Sequence, residues 1–219
     1  MTRLFTPMST YTTEVFDMTR KLVLIALAAA LGLAVTGVAS AKWFNVIRGT
    51  KNADVINGTD NRDFILGFAG DDQISAAGAR DVVLAGRGND SVDGGAGFDR
   101  LRGGPGNDTL SAGDNGGILW GGDGNDTLNA GNSGRNVLHG GKGDDTDTGG
   151  SGRDRLYGGF GADTLSGGGG NDVLFALAPD GQVDNLDCGP GDHDVAWVRS
   201  TEHDNVVNCE LVKTVTVGS

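Results

Sequence analysis

Over most of this chain, one isolated apolar residue follows another at intervals of nine. The frame starts at Gly49 and runs to Phe175 as fourteen nonapeptides plus one extra residue, placed at Ala130. The consensus is G-G-x-G-x-D-x-U-x, where U is Ile, Val or Leu in thirteen copies, from Ile56 to Leu174; the exception is Asp147. Three residues with one central apolar side chain suit a short strand that points that side chain inward. The preceding six residues, rich in glycine, suit a tight turn, because glycine adopts positive φ at little cost. One such unit cannot bury its apolar residue alone, so the pattern predicts units stacked on one another around a thin continuous core. The sixth position is aspartate in twelve copies: Asp54, Asp63, Asp72, Asp81, Asp90, Asp99, Asp108, Asp126, Asp145, Asp154, Asp163 and Asp172. Gly117 and Asn136 are the exceptions.

A second period lies on top of the first. In odd copies the ninth residue is small and polar: Asn57, Ser75, Asp93, Ser111, Asn129, Thr148 and Ser166. In even copies it is Leu66, Leu84, Arg102, Trp120, His139, Tyr157 and Phe175. The fifth position divides the same way, with Arg62, Arg80, Arg135 and Arg153 in even copies and no arginine in odd ones. An 18-residue alternation predicts two nonapeptides per coil, and hence two unlike sheets and two unlike edges. The even sheet should carry an outward apolar stripe that includes Leu66, Leu84, Trp120, Tyr157 and Phe175. Two copies break the pattern. Asp147 implies a distorted strand or a polar gap in the core, and "AAGARDVVL" at 76–84 lacks the usual turn glycines.

Composition narrows the function classes. The 219 residues include 40 glycines and only 4 prolines, which excludes collagen. A net charge of −12 disfavours nucleic acid as a partner and favours multivalent cations. Near the N-terminus, Arg20 and Lys21 precede an apolar run over 22–38 and the small residues Ala39, Ser40 and Ala41. This order predicts a signal region over 1–41, with the signal peptide itself at 18–41, and no membrane span once it is removed. Cys188 and Cys209 are the only cysteines. In an exported chain they suggest one disulfide, whose closure stabilises by roughly 3 kcal/mol. No G-x-S-x-G, H-E-x-x-H or phosphate-loop pattern occurs, and His139, His193 and His203 lack zinc spacing. An enzymatic role is therefore not expected.

The nonapeptide array resembles the RTX, or hemolysin-type calcium-binding, repeat of secreted bacterial proteins. That resemblance implies an all-β fold, a right-handed parallel β-roll, here of about seven coils over 49–175. Residues 42–48 would form an N-terminal cap and 176–219 an irregular C-terminal cap holding the disulfide. It also implies multiple Ca²⁺ ions between successive turns, taken up by the twelve aspartates. Carboxylates and turn carbonyls are the hard oxygen donors Ca²⁺ prefers. The backbone ligands would come from Gly70, Gly88, Gly104, Gly106, Gly122, Gly124, Gly141, Gly143, Gly159 and Gly161. The expected function is that of a secreted, extracellular calcium-binding protein whose folding is driven by Ca²⁺. The alternative is a calcium-dependent adhesion or interaction module that uses the apolar stripe for a protein partner or self-association.

Overall fold

A computed structural model describes residues 44–132 and 134–216. The signal region lies outside the described residues. Among the described residues, nineteen strands, β1–β19 in chain order, alternate between two parallel sheets. Odd-numbered strands, from β1 (Asn45–Arg48) to β19 (Leu211–Val215), form a ten-stranded sheet; even-numbered strands, from β2 (Val55–Thr59) to β18 (Asn205–Val207), form a nine-stranded one. The strands of even copies enter the ten-stranded sheet and those of odd copies the nine-stranded sheet, as the 18-residue alternation requires. The result is a parallel β-solenoid of about nine turns.

The eighth residue of each copy faces inward. Ile65, Ile74, Val83, Leu101, Leu110, Leu119, Leu128, Leu138, Leu156 and Leu174 are all fully or almost fully buried. Each such rung contributes about 1.5–3 kcal/mol of burial. Register keeps like on like: Leu110 in β8 (Thr109–Ser111) pairs with Leu128 in β10 (Thr127–Asn129). Asp147 sits in this column between Leu128 and Leu165. Its strand, β12 (Thr146–Thr148), keeps regular pairing, so the anomaly is a polar gap in the core rather than a distorted strand.

The turns explain the glycines. Gly104 and Gly106 have φ of 138° and 134°, and a Cβ on either would collide with the carbonyl of Gly86 or Gly88 in the preceding coil. The glycine-poor copy at 76–84 makes the same turn with alanines: Ala77 and Ala79 both adopt φ of 74°. The extra residue is not Ala130. Ala130 donates to the Thr148 carbonyl as Ala112 donates to the Asn129 carbonyl, so the two occupy equivalent first positions of their turns. The insertion therefore falls between Gly131 and Gly134.

Both ends depart from the seven-coil expectation. Residues 45–48 form β1, which pairs in register with β3 (Asp63–Ala69), so the segment covers the first coil by adding a strand. The tail is not an irregular cap. β16 (Asn185–Asp187), β17 (Val195–Arg199), β18 and β19 extend both sheets. A fixed nine-residue frame stops at Phe175 because the connecting turns lengthen beyond it. Cys188 and Cys209 form the expected disulfide, with Cα atoms 5.1 Å apart.

Candidate metal sites along the turn edges

Each sixth-position aspartate closes a turn and is drawn inside by it. Eleven of the twelve are buried; Asp54, in the first coil, is half-buried. One carboxylate oxygen is committed to the backbone. On the odd edge Oδ1 of Asp72, Asp90, Asp108, Asp126, Asp145 and Asp163 accepts the N–H of the aspartate one coil earlier, at 2.7–2.9 Å. The ladder then runs on through residues absent from the sequence-based set: Asp163 donates to Asp184, and Asp184 to Asp204. On the even edge Asp172 donates to Asp194 and Asp194 to Glu210. The signal for these four was present as D-x-U-x at Asp184, Asp194 and Asp204, and as E-L-V at Glu210, but without the fixed spacing.

The second oxygen has no such partner. Oδ2 of Asp72, Asp81, Asp90, Asp99, Asp108, Asp126, Asp145, Asp154, Asp163, Asp172, Asp194 and Asp204 is buried and accepts no hydrogen bond. A buried anionic oxygen without a partner is costly, and the cost is removed by a proton or a cation. Burial accordingly pushes Asp81, Asp99, Asp126, Asp154 and Asp163 up to about 6, Asp108 and Asp172 to about 7, and Asp145 to about 8. Asp54 and Asp63 differ. Their Oδ2 atoms each accept a 2.6 Å bond from the N–H of Thr50 or Thr59, which satisfies them within the first coil.

Among the described residues, no three His, Cys, Asp or Glu side chains converge to hold a metal. Carboxylates come one per turn, so a cation here would draw its remaining ligands from backbone carbonyls. The residues fit that demand: the ten glycines expected to supply backbone ligands all have positive φ, between 105° and 138°, and stack coil on coil. The donor set is oxygen throughout, as Ca²⁺ requires and as a soft metal would not choose.

The profile of the RTX calcium-binding nonapeptide repeat matches in four copies, over residues 48–83, 84–119, 118–133 and 148–178. The chain belongs to the RTX calcium-binding repeat family. No curated protein matches it. The RTX profile leaves out 134–147, the interval that contains both Asn136 and Asp147.

The two edges of this RTX roll are built differently. Odd turns carry a second ladder outside the first. The N–H of Asn89, Asn107, Asn125, Asp144 and Ala162 donates to Oδ1 of Asp71, Asn89, Asn107, Asn125 and Asp144 respectively, at 2.7–3.0 Å. It runs opposite in polarity to the inner ladder, so each odd turn is tied both ways. Sequence reading saw these fifth positions as merely free of arginine. On the even edge the arginines occupy this place, and the inner ladder breaks at Gly117: the Asp99 N–H turns instead to the Gly116 carbonyl at 3.4 Å.

The expected stripe lies on the ten-stranded sheet. Trp120, His139, Tyr157, Phe175 and Trp197 stack ring on ring, with centroids 4.4–6.3 Å apart and planes within 13°. Lys213 closes the stack over Trp197. Burial in this stack holds His139 below the usual histidine range, which favours the neutral ring. Leu66 is half-buried, whereas Leu84 and Trp120 are 37% and 36% exposed.

Proposed function

We propose that this protein is a secreted β-roll that folds when Ca²⁺ reaches it. The observation that carries the reading is the pair of columns of buried, unpartnered aspartate oxygens. Asp72, Asp90, Asp108, Asp126, Asp145, Asp163 and Asp204 would hold ions along the odd edge; Asp81, Asp99, Asp154, Asp172 and Asp194 would do so along the even edge. The turn glycines, Gly104 and Gly106 among them, would add carbonyls. Bound Ca²⁺ neutralises carboxylates that otherwise repel one another across each coil. The protein's own part is to fix those oxygens at the turn edge and to shield them from water. Because the ion binds only the folded chain, it stabilises the roll by mass action. Where Ca²⁺ is scarce, charge repulsion and glycine entropy keep the chain expanded.

Calcium titration of residues 42–219, followed by circular dichroism and equilibrium dialysis, tests this. A gain of β signal with several ions bound is expected; no gain would sink the reading. Asp108→Ala, in the unbroken odd ladder, is expected to lower the bound count more than Asp99→Ala, beside the gap at Gly117.

The ring stack favours a second reading, in which the ten-stranded face engages a protein partner or another copy once calcium has built it. Sedimentation in calcium at several concentrations would show association that Trp120→Ser and Tyr157→Ser weaken. Concentration-independent sedimentation, with no partner retained in calcium, would remove it.

A further inference from the structure

The even ladder is broken once, at Gly117, and the rung after the break is an amide. Asn136 occupies an aspartate position, and its Oδ1 accepts the Gly117 N–H at 2.8 Å, as an aspartate Oδ1 would. Its Nδ2 then stands where an aspartate has its unpartnered Oδ2. That NH₂ group donates to the Gly149 carbonyl at 3.2 Å and to Asp154 Oδ1 at 2.9 Å. The amide orientation follows from its neighbours: Gly117 brings a donor, and Gly149 and Asp154 bring acceptors. Asn136 is 1% exposed, so water does not compete for these bonds. At Asp81, Asp99, Asp154, Asp172 and Asp194 an unpartnered carboxylate oxygen faces this space; here a hydrogen-bond donor does.

The same device opens the ladder. Asn45 pairs in register with Asp63, and its Nδ2 donates to Asp63 Oδ1 at 2.8 Å and to the Thr59 hydroxyl at 3.1 Å. The even edge is therefore two acidic segments, Asp63–Asp81–Asp99 and Asp154–Asp172–Asp194–Glu210, each headed by an asparagine. We infer that Asn136 takes the place of one calcium ion, so that its side-chain amide ties the Gly117 turn to the second segment without metal. This rests on the calcium-binding reading above. An NH₂ group carries positive edge charge towards a carbonyl and a carboxylate, which is the role a cation plays, and it repels a cation from the same space. The chain thus gives up one ion on the even edge while keeping the Gly117 turn tied to the second segment.

Restoring the acid should restore the ion. In calcium-saturated protein, equilibrium dialysis with elemental analysis is expected to find one more Ca²⁺ per chain in Asn136→Asp than in wild type. Asn136→Ala, which removes the amide without adding an acid, is expected to bind the wild-type number and to melt at a lower temperature. An unchanged count in folded Asn136→Asp would overturn the inference. So would a loss of one ion in Asn136→Ala, because Asn136 would then be a ligand; that second result decides the matter if Asn136→Asp does not fold. A wild-type chain that binds no calcium would overturn the function itself, a different result from an unchanged variant.

Discussion

Asp147 places two oxygens in a column otherwise made of aliphatic side chains, and neither oxygen has a hydrogen-bond partner. Burial pushes its carboxyl well above the usual range, with the neighbouring Asp145, Asp163 and Asp126 adding to the effect. The folded protein therefore holds a proton there that the unfolded chain releases. That contribution is present in acid and lost as pH rises. Asp147→Leu is expected to stabilise the calcium-loaded roll by about 2 kcal/mol or more, since it removes an unsatisfied buried group and completes the rung. Thermal melts at several pH values would show the gain growing as pH rises above the unfolded carboxyl value, near 4. A gain that is absent or shrinks with pH would mean that Asp147 finds a partner in solution. Asp147 was visible in the sequence as an anomaly, because a period of nine makes every exception stand out. What it does was not visible, because a pattern does not say whether the backbone or the core yields.

At the scale of the turn and strand, the elements were legible because they repeat. Glycine in fixed places, one apolar residue and one aspartate define each unit without reference to its neighbours. The side-chain ladders were not legible, because each bond joins residues 16 or more apart and its polarity exists only after stacking. The outer ladder is the clearest case. Asn107 accepts the Asn125 N–H, while Arg135, at the same turn position on the other edge, stands in no such ladder. Asn107→Ala is expected to cost about 1 kcal/mol in chemical denaturation with calcium present, and Arg135→Ala to stay within about 0.5 kcal/mol. Equal losses would mean the odd edge gains nothing from its second ladder. The tail shows the converse limit. Asp184, Asp194 and Asp204 kept the chemistry of the repeat but lost its spacing, so a fixed frame passed over two coils.

For the molecule as a whole, the proposed function sets protons and calcium in competition for the same oxygens. Without metal, Asp81, Asp108 and Asp145 are raised to about 6, 7 and 8 by burial. Carboxyls raised on folding stabilise the fold fully below their unfolded values, near 4, and lose that contribution as pH climbs through 6 to 8. In chelator, circular dichroism is expected to show more β structure at about pH 5 than at about pH 8. With calcium the order reverses, because ligand deprotonation strengthens metal binding. A chelated chain that gains structure with rising pH would contradict the buried carboxylate columns.

The disulfide gives the solenoid a direction. Cys188 and Cys209 bolt together the last turns of the even edge, whereas β1, at the other end, holds on by the pairing of four residues. Under the proposed function, withdrawing calcium, or pulling along the axis, is expected to peel coils away from the Asn45 end towards a stop. A chain opened this way still carries a closed loop at its C-terminal end, and re-zipping can start from it rather than from a random coil. Single-molecule extension would record that stop as a missing length, one that reappears when the cysteines are reduced.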